Sequence, residues 1–209
     1  MTNLGFIKTI KKECAAAMER DPAATSLAQV FWFYPGVRAI VAHRRAHERY
    51  KKGRKFSAYR IAARARRKTG IEIHPAAVIG EKVFIDHGTG VVIGETAVVG
   101  DGCTIYQGVT LGGTGKDVGK RHPTLGNNVL IGAGAKVLGP FTIGDNSKVA
   151  ANAVVLTEIP PNSTCVGVPA RIVKRYDEKV DFDHCNIPDP VAQEICRLKG
   201  EIEKLKGKD

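Results

Sequence analysis

The stretch VVIGETAVVGDGCTIYQGVTLG (residues 91–112) returns an aliphatic residue at every sixth position, at Ile93, Val99, Ile105 and Leu111. That step matches neither the 3.6-residue helical period nor the two-residue strand period. Outward from it, Ile73, Ile79 and Ile85 keep the same step on the N-terminal side. Leu125, Ile131, Val137, Ile143, Val149 and Val155 keep it on the C-terminal side. Glycine follows seven of these thirteen anchors, and small residues recur four places on, at Ala77, Ala97, Cys103, Ala135, Ser147 and Ala153. An inward aliphatic, a glycine at the corner where a Cβ would obstruct the turn, and a small inward residue describe one flat side of a parallel β-helix. At three sides per turn the thirteen repeats predict about four coils. Cys103 falls on an inward position and reads as core.

The register breaks twice, between Ile85 and Ile93 and between Leu111 and Leu125. Extra chain has to bulge from the prism there, and in repeat arrays such insertions map to the binding face. The first break carries Asp86-His87-Gly88-Thr89-Gly90. The second carries Gly112-Gly113-Thr114-Gly115-Lys116 and ends in Lys120-Arg121-His122-Pro123.

With 209 residues, 43% of them hydrophobic, the chain can bury one good core. No apolar run approaches the roughly 20 residues that span a bilayer, and the start of the chain has no apolar signal segment. A soluble, cytoplasmic protein without membrane partners is expected. Five cysteines at irregular spacings, with no Cys-x-x-Cys pair, argue for reduced thiols.

The ends of the chain read as helical. Ile7, Ile10, Cys14 and Ala17 form one apolar stripe, and further helices are predicted from about Pro35 to Lys52 and from Phe56 to Lys68. Asp21-Pro22 has the form of a helix N-cap followed by a first-turn proline. Residues 38–68 hold thirteen Lys or Arg and one acid, Glu48. Such a run reads as a solvated helical face, with attraction of anionic substrates such as coenzyme A and nucleic acid as alternatives. Nucleic acid is the least expected, because no zinc-finger, RNA-recognition or helix-turn-helix pattern accompanies the run. His43 and His47 are expected at its surface, and His74 in a structural role. Pro160-Pro161 is expected to end the coils. A last helix is predicted from Asp189-Pro190 with a seam of Ile195, Leu198, Ile202 and Leu205. The predicted organisation is an N-terminal helical region over 1–69, the β-helix over 70–174 and a tail with a helix over 175–209.

His87 and His122 invite comparison with a zinc hydratase on the same kind of coil, but a third ligand is missing, since Asn127 and Asn128 occupy the nearby positions. No metal is expected. No Walker loop or Ser-His-Asp elbow is present.

The segments Gly-Ile-Glu-Ile-His-Pro-Ala-Ala (70–77), Asp-His-Gly-Thr-Gly-Val-Val-Ile-Gly-Glu-Thr-Ala-Val-Val-Gly (86–100), Gln-Gly-Val-Thr-Leu-Gly-Gly-Thr-Gly-Lys (107–116), Arg-His-Pro (121–123) and Gly-Val-Pro-Ala-Arg-Ile-Val (167–173) resemble the serine O-acetyltransferases of the hexapeptide-repeat superfamily, as does Arg20-Asp21-Pro22-Ala23 upstream. The resemblance implies a mainly β fold with α-helical ends, in which the parallel β-helix is left-handed and trimerises with active sites between neighbours. It implies acetyl transfer from acetyl-coenzyme A to the hydroxyl of L-serine. His87 would be the general base, oriented by Glu72, where better-known members carry Asp. Asp21 and Asp86 would hold the substrate's amino group, and Arg121 and His122 its carboxylate. Gly113, Thr114, Ala133 and Ala151 would line the coenzyme groove. With that family in view, Asp21 as a ligand displaces Asp21 as a cap. A homotrimer is expected, with a hexamer as the alternative. Binding to cysteine synthase is not expected, because the sequence ends at Asp209 without the terminal isoleucine those members insert into it. The rival readings are an acetyltransferase of the same fold acting on homoserine, a sugar or an antibiotic, and a non-enzymatic basic scaffold.

Overall fold

The computed structural model describes residues 3–115, 118–175, 194–195, 197–200 and 202. Four helices, α1 (Asn3–Met18), α2 (Leu27–Phe33), α3 (Pro35–Lys51) and α4 (Lys55–Thr69), precede the coil. The six-residue step becomes strands of two or three residues, each followed by a corner. Face A stacks β1 (Glu72–Ile73), β4 (Val92–Ile93), β7 (Thr110–Gly112), β10 (Lys136–Leu138) and β13 (Val154–Val155). Face B stacks β2 (Val78–Ile79), β5 (Val98–Val99), β8 (Thr124–Leu125) and β11 (Thr142–Ile143). Face C stacks β3 (Phe84–Ile85), β6 (Thr104–Ile105), β9 (Leu130–Ile131), β12 (Lys148–Val149) and β14 (Ser163–Val166), with β15 (Arg171–Arg175) at its end.

Parallel pairing in constant register puts each anchor on the anchor one coil below. Ile73, Ile93, Leu111, Val137 and Val155 form one column, and every one of them is buried. Each contributes about 1.5–3 kcal/mol by leaving water. The open ends of such a ladder invite further pairing, and both are covered. Ala39 and Ile40 of α3 join the core cluster at the first coil, and β15 folds back antiparallel on β14 at the last.

The prolines do not end the coil as expected. Ile159 still bridges Ile143, and β14 pairs in parallel with β12. Pro160 and Pro161 sit at the corner between faces B and C, where the ladder needs no N–H from them. The tail helix is described only in part: Ile195, Leu198 and Ile202 are helical and exposed, while Asp189, Pro190 and Leu205 lie outside the described residues.

The helical region rides on face C of the first coil. Phe84, on the outer side of that face, packs with Cys14, Ala17, Val30, Val37 and Val41. The approach is close at Gly36, where a Cβ would lie 2.0 Å from the Ile85 carbonyl oxygen. Arg44, inside the basic run, is not on a solvated face. It donates to Glu13 of α1 and to the carbonyls of Ile79 and Gly80. His43, expected at the surface, is 4% exposed with Nε2 3.1 Å from the Ala77 carbonyl oxygen. His47 likewise turns inward, its Nδ1 2.9 Å from the Pro75 carbonyl oxygen. Helical periodicity alone cannot register that the coil covers this face of α3.

Burial pushes the His43 imidazole down to about 3. The unfolded chain therefore takes up a proton near pH 6.5 that the folded chain refuses until about pH 3, so acid withdraws stability across that window. The expected contribution to the slope is at most about 1.4 kcal/mol per pH unit. Urea unfolding of His43→Phe between pH 4 and 6 should show a flatter slope than the parent protein. An equal slope would mean that His43 is already hydrated in the folded state.

Candidate active site

The two breaks fall on two different edges of the prism. Asp86 and His87 stand where the chain turns from face C to face A, and Arg121 and His122 stand where it turns from face A to face B.

At the C–A edge, His87 adopts φ +55°, the left-handed conformation that Lys82 and four asparagines also take elsewhere in the coil. Its side chain is 77% exposed, and Nε2 lies 4.0 Å from Asp86 Oδ1. Asp21 faces the same edge across a cleft that it shares with Asp86, Thr104 and Tyr106. Asp21 does not cap a helix. Its Oδ1 accepts from the Ala23 N–H at 2.8 Å, and α2 is capped by Ser26 instead. Arg20 fixes this turn to the coil by donating to the Cys103 carbonyl at 3.2 Å and to Thr104 Oγ1 at 3.1 Å. The Tyr34 hydroxyl donates to Asp21 Oδ2 at 2.6 Å. That bond, with the Ala23 N–H, holds the Asp21 carboxyl below the usual range, and it pushes the Tyr34 phenol up to about 12. Further along the same edge, Tyr106, Gln107, Ala133 and Ala151 continue from His87 as a narrow groove of about 320 Å³.

At the A–B edge, Arg121 donates to Glu95 Oε2, which lowers the Glu95 carboxyl. Thr96 organises the rest. Its Oγ1 accepts the Arg121 N–H at 3.0 Å and the His122 N–H at 3.1 Å, and its hydroxyl proton is left for His122 Nδ1, 2.9 Å away. His122 Nδ1 also receives the Thr96 N–H at 3.2 Å, so the ring proton sits on Nε2. Burial and the Arg121 charge both push the His122 imidazole down. The ring lies so close to Gly94 that a Cβ there would come 1.9 Å from its Cδ2. Gly113 packs on Arg121, and Thr114 follows it at the mouth of the second break.

The sequence-predicted residues therefore separate into two groups. Asp21, Asp86, His87, Ala133 and Ala151 share one edge; Arg121, His122, Gly113 and Thr114 share the other. Glu72 joins neither group within the chain: its carboxylate pairs with Arg66 at 2.8 Å and makes no hydrogen bond to His87. Sequence reasoning gave no role to Tyr34, Glu95 or Thr96. Glu95 and Thr96 occupy ordinary corner positions of the repeat, and Tyr34 lies thirteen residues from the carboxylate it holds. Among the described residues, no group of His, Cys, Asp and Glu stands close enough to hold a metal ion.

A sequence model of the bacterial transferase hexapeptide (six repeats) matches residues 122–157. The coil and its six-residue repeat place the chain among hexapeptide-repeat proteins. A serine acetyltransferase of Staphylococcus xylosus is 52% identical over 203 residues, spanning 96% of this chain and 94% of its own. The crystal structure of the Brucella abortus strain S19 serine acetyltransferase in complex with coenzyme A superposes with a TM-score of 0.79 at 47% identity, covering 83% of this chain and 69% of that one. The Neisseria gonorrhoeae serine acetyltransferase in complex with serine gives 0.78 at 43% identity, covering 83% and 71%. The chain belongs to the serine acetyltransferase family.

Removing the Tyr34 hydroxyl takes a donor from the ionised form of Asp21. In Tyr34→Phe the Asp21 carboxyl should titrate at a higher pH, nearer the ordinary aspartate value, when followed by carboxyl carbon NMR. An unshifted titration would show that the bond does not form in solution.

Proposed function

We propose that the chain transfers the acetyl group of acetyl-coenzyme A to the hydroxyl of L-serine, in the cytoplasm, at sites formed between neighbouring copies of a left-handed coil in a homotrimer. The observation that carries this reading is the division of complementary groups between two edges. Carboxylates suited to an ammonium stand with His87 on the C–A edge, and an Arg-His pair suited to a carboxylate stands on the A–B edge. Within one copy face A lies between the two groups, and among the described residues no hydrogen bond joins them, which supports a site completed by a second copy. Two copies packed side by side bring a C–A edge against an A–B edge, and the same contact joins the Ala133–Ala151 groove to Gly113 and Thr114.

In this arrangement Asp21 and Asp86 receive the serine ammonium, and Arg121 and His122 of the neighbouring copy receive its carboxylate. The hydroxyl is then left at His87. A serine hydroxyl is a weak nucleophile at neutral pH, so the neutral imidazole accepts its proton as the oxygen attacks the thioester carbonyl. The tetrahedral adduct collapses with cleavage of the carbon–sulfur bond, and the leaving thiolate takes the proton back from His87. No acyl-enzyme is needed. Glu72 is assigned to orient the imidazole. Its ion pair with Arg66 is exposed on both sides, a kind of contact worth no more than about 1 kcal/mol, so the carboxylate can turn from Arg66 to the ring. The second proton donor at the carboxylate end is His122 Nε2–H, the tautomer that Thr96 selects. A free α-amino acid fits this charge pattern; a sugar offers neither charge.

His87→Ala should lower kcat by roughly 10²–10⁴ with folding intact, and Arg121→Ala should chiefly raise KM for serine. Co-refolding the two variants, assayed with serine far below the KM of the Arg121 variant so that neither alone turns over appreciably, tests the shared site directly. In a statistical mixture of trimers, about a quarter of the sites recombine an intact His87 with an intact Arg121, so about a quarter of wild-type turnover should return. No recovery in verified mixed trimers would place the whole site within one copy.

A further inference from the structure

The cations of residues 38–68 do not spread over a convex surface. Arg38, Arg45 and Arg49 lie along one stripe of α3, continued by its C-cap Lys52, and Arg54 and Lys68 complete the rim of a cleft between α3 and α4 of about 840 Å³. Six cations face one carboxylate, Glu48, which is bonded to Lys52 at 2.8 Å. A concave wall with so large an excess of one sign focuses the field, where the same charges on a convex face would be screened separately. The wall is not polar throughout: Phe31 and Ile61 supply apolar surface beside the cations. The volume is that of a small-ligand site. None of these residues belongs to the C–A or the A–B edge.

We propose that this cleft is a second binding site, for a small polyphosphate-bearing nucleotide. The phosphates would lie among the arginines, whose planar guanidinium groups pair with phosphate oxygens two at a time. The base would lie against Phe31 and Ile61. Cations in a single pocket fit a compact anion of three or more charges. A nucleic-acid strand instead needs a groove that tracks successive phosphates.

The test is calorimetric titration of the full-length protein with ATP, inorganic tripolyphosphate, adenosine and a single-stranded 20-mer, at two salt concentrations. ATP and tripolyphosphate are expected to bind saturably and more weakly as salt rises, and adenosine not to bind. Charge reversal at the exposed pair Arg45→Glu and Arg49→Glu should weaken ATP at least about tenfold while acetyl transfer and Tm are retained. The proposal is overturned if ATP shows no saturable binding. ATP that is displaced by coenzyme A and insensitive to the reversal would also overturn it, because the ligand then occupies the catalytic groove. A 20-mer that outcompetes ATP in a reversal-sensitive way would mark a polymer surface instead.

Discussion

Constant parallel register is the constraint on which the structure depends. Once each side of the coil admits one inward aliphatic residue, every corner recurs directly above the corner one turn below, at the spacing of neighbouring strands, about 4.8 Å. The edges of the prism thereby become columns of chemically independent residues held by a common ladder. Asp86-His87, Tyr106-Gln107, Gly132-Ala133 and Ala150-Ala151 form one such column. His74, Glu95-Thr96 and Arg121-His122 form another, on the opposite side of face A. A repeat this regular leaves little freedom for shaping a site except at its corners and its insertions, and the candidate residues that the coil supplies to both groups are found there.

The helical region adds what a coil cannot supply by itself. A corner column offers only groups that project from one chain edge, whereas Asp21 comes from a different direction, over Phe84 and Asp86. Its position rests on three attachments: Arg20 to β6, Gly36 to the end of β3, and Tyr34 to the carboxylate itself. Arg44 and Glu13 secure the same helices to the next corner at the cost of burying an ion pair. Desolvation outweighs the Arg44 charge and leaves the Glu13 carboxyl above its ordinary value. Removing either partner would strand a buried charge, which costs far more than the intact pair contributes. The pair thus fixes where the helices sit more than how strongly they are held.

The coil was legible because its period is enforced at every turn by packing, and thirteen anchors leave little room for another reading. The two breaks were legible because the period fails there, and the structure puts Asp86-His87 and Arg121-His122 at the corresponding corners. What escaped the sequence reading shares a different property: its meaning depends on a surface contributed by distant chain. His43 has the spacing of a solvated residue on a basic helix and is buried by the coil. On local pattern alone Asp21-Pro22 has the form of a helix start, a reading that only the family resemblance displaced; the carboxylate is taken by Tyr34 and Ala23, and the helix is capped five residues later by Ser26. Pro160-Pro161 reads as a stop, yet a corner requires no donor there. Thr96 is an ordinary corner residue until the second break folds back on it, and then it fixes two backbone groups and a ring tautomer at once.

The division of the candidate site between two edges gives assembly a chemical meaning. Under the proposed reading, one copy holds the ammonium and the base, and its neighbour holds the carboxylate. A lone copy can then bind serine at only one end and cannot bring the hydroxyl to His87 in a defined orientation. Proximity and orientation supply a large share of the rate in a reaction that needs no covalent intermediate. An isolated chain lacks that share even with every side chain correctly folded. The flat faces that make the coil stable are also what would make the proposed arrangement available: a three-sided prism presents the same two edges on either side of face A, so in the proposed trimer one rotation about a common axis would complete three sites together.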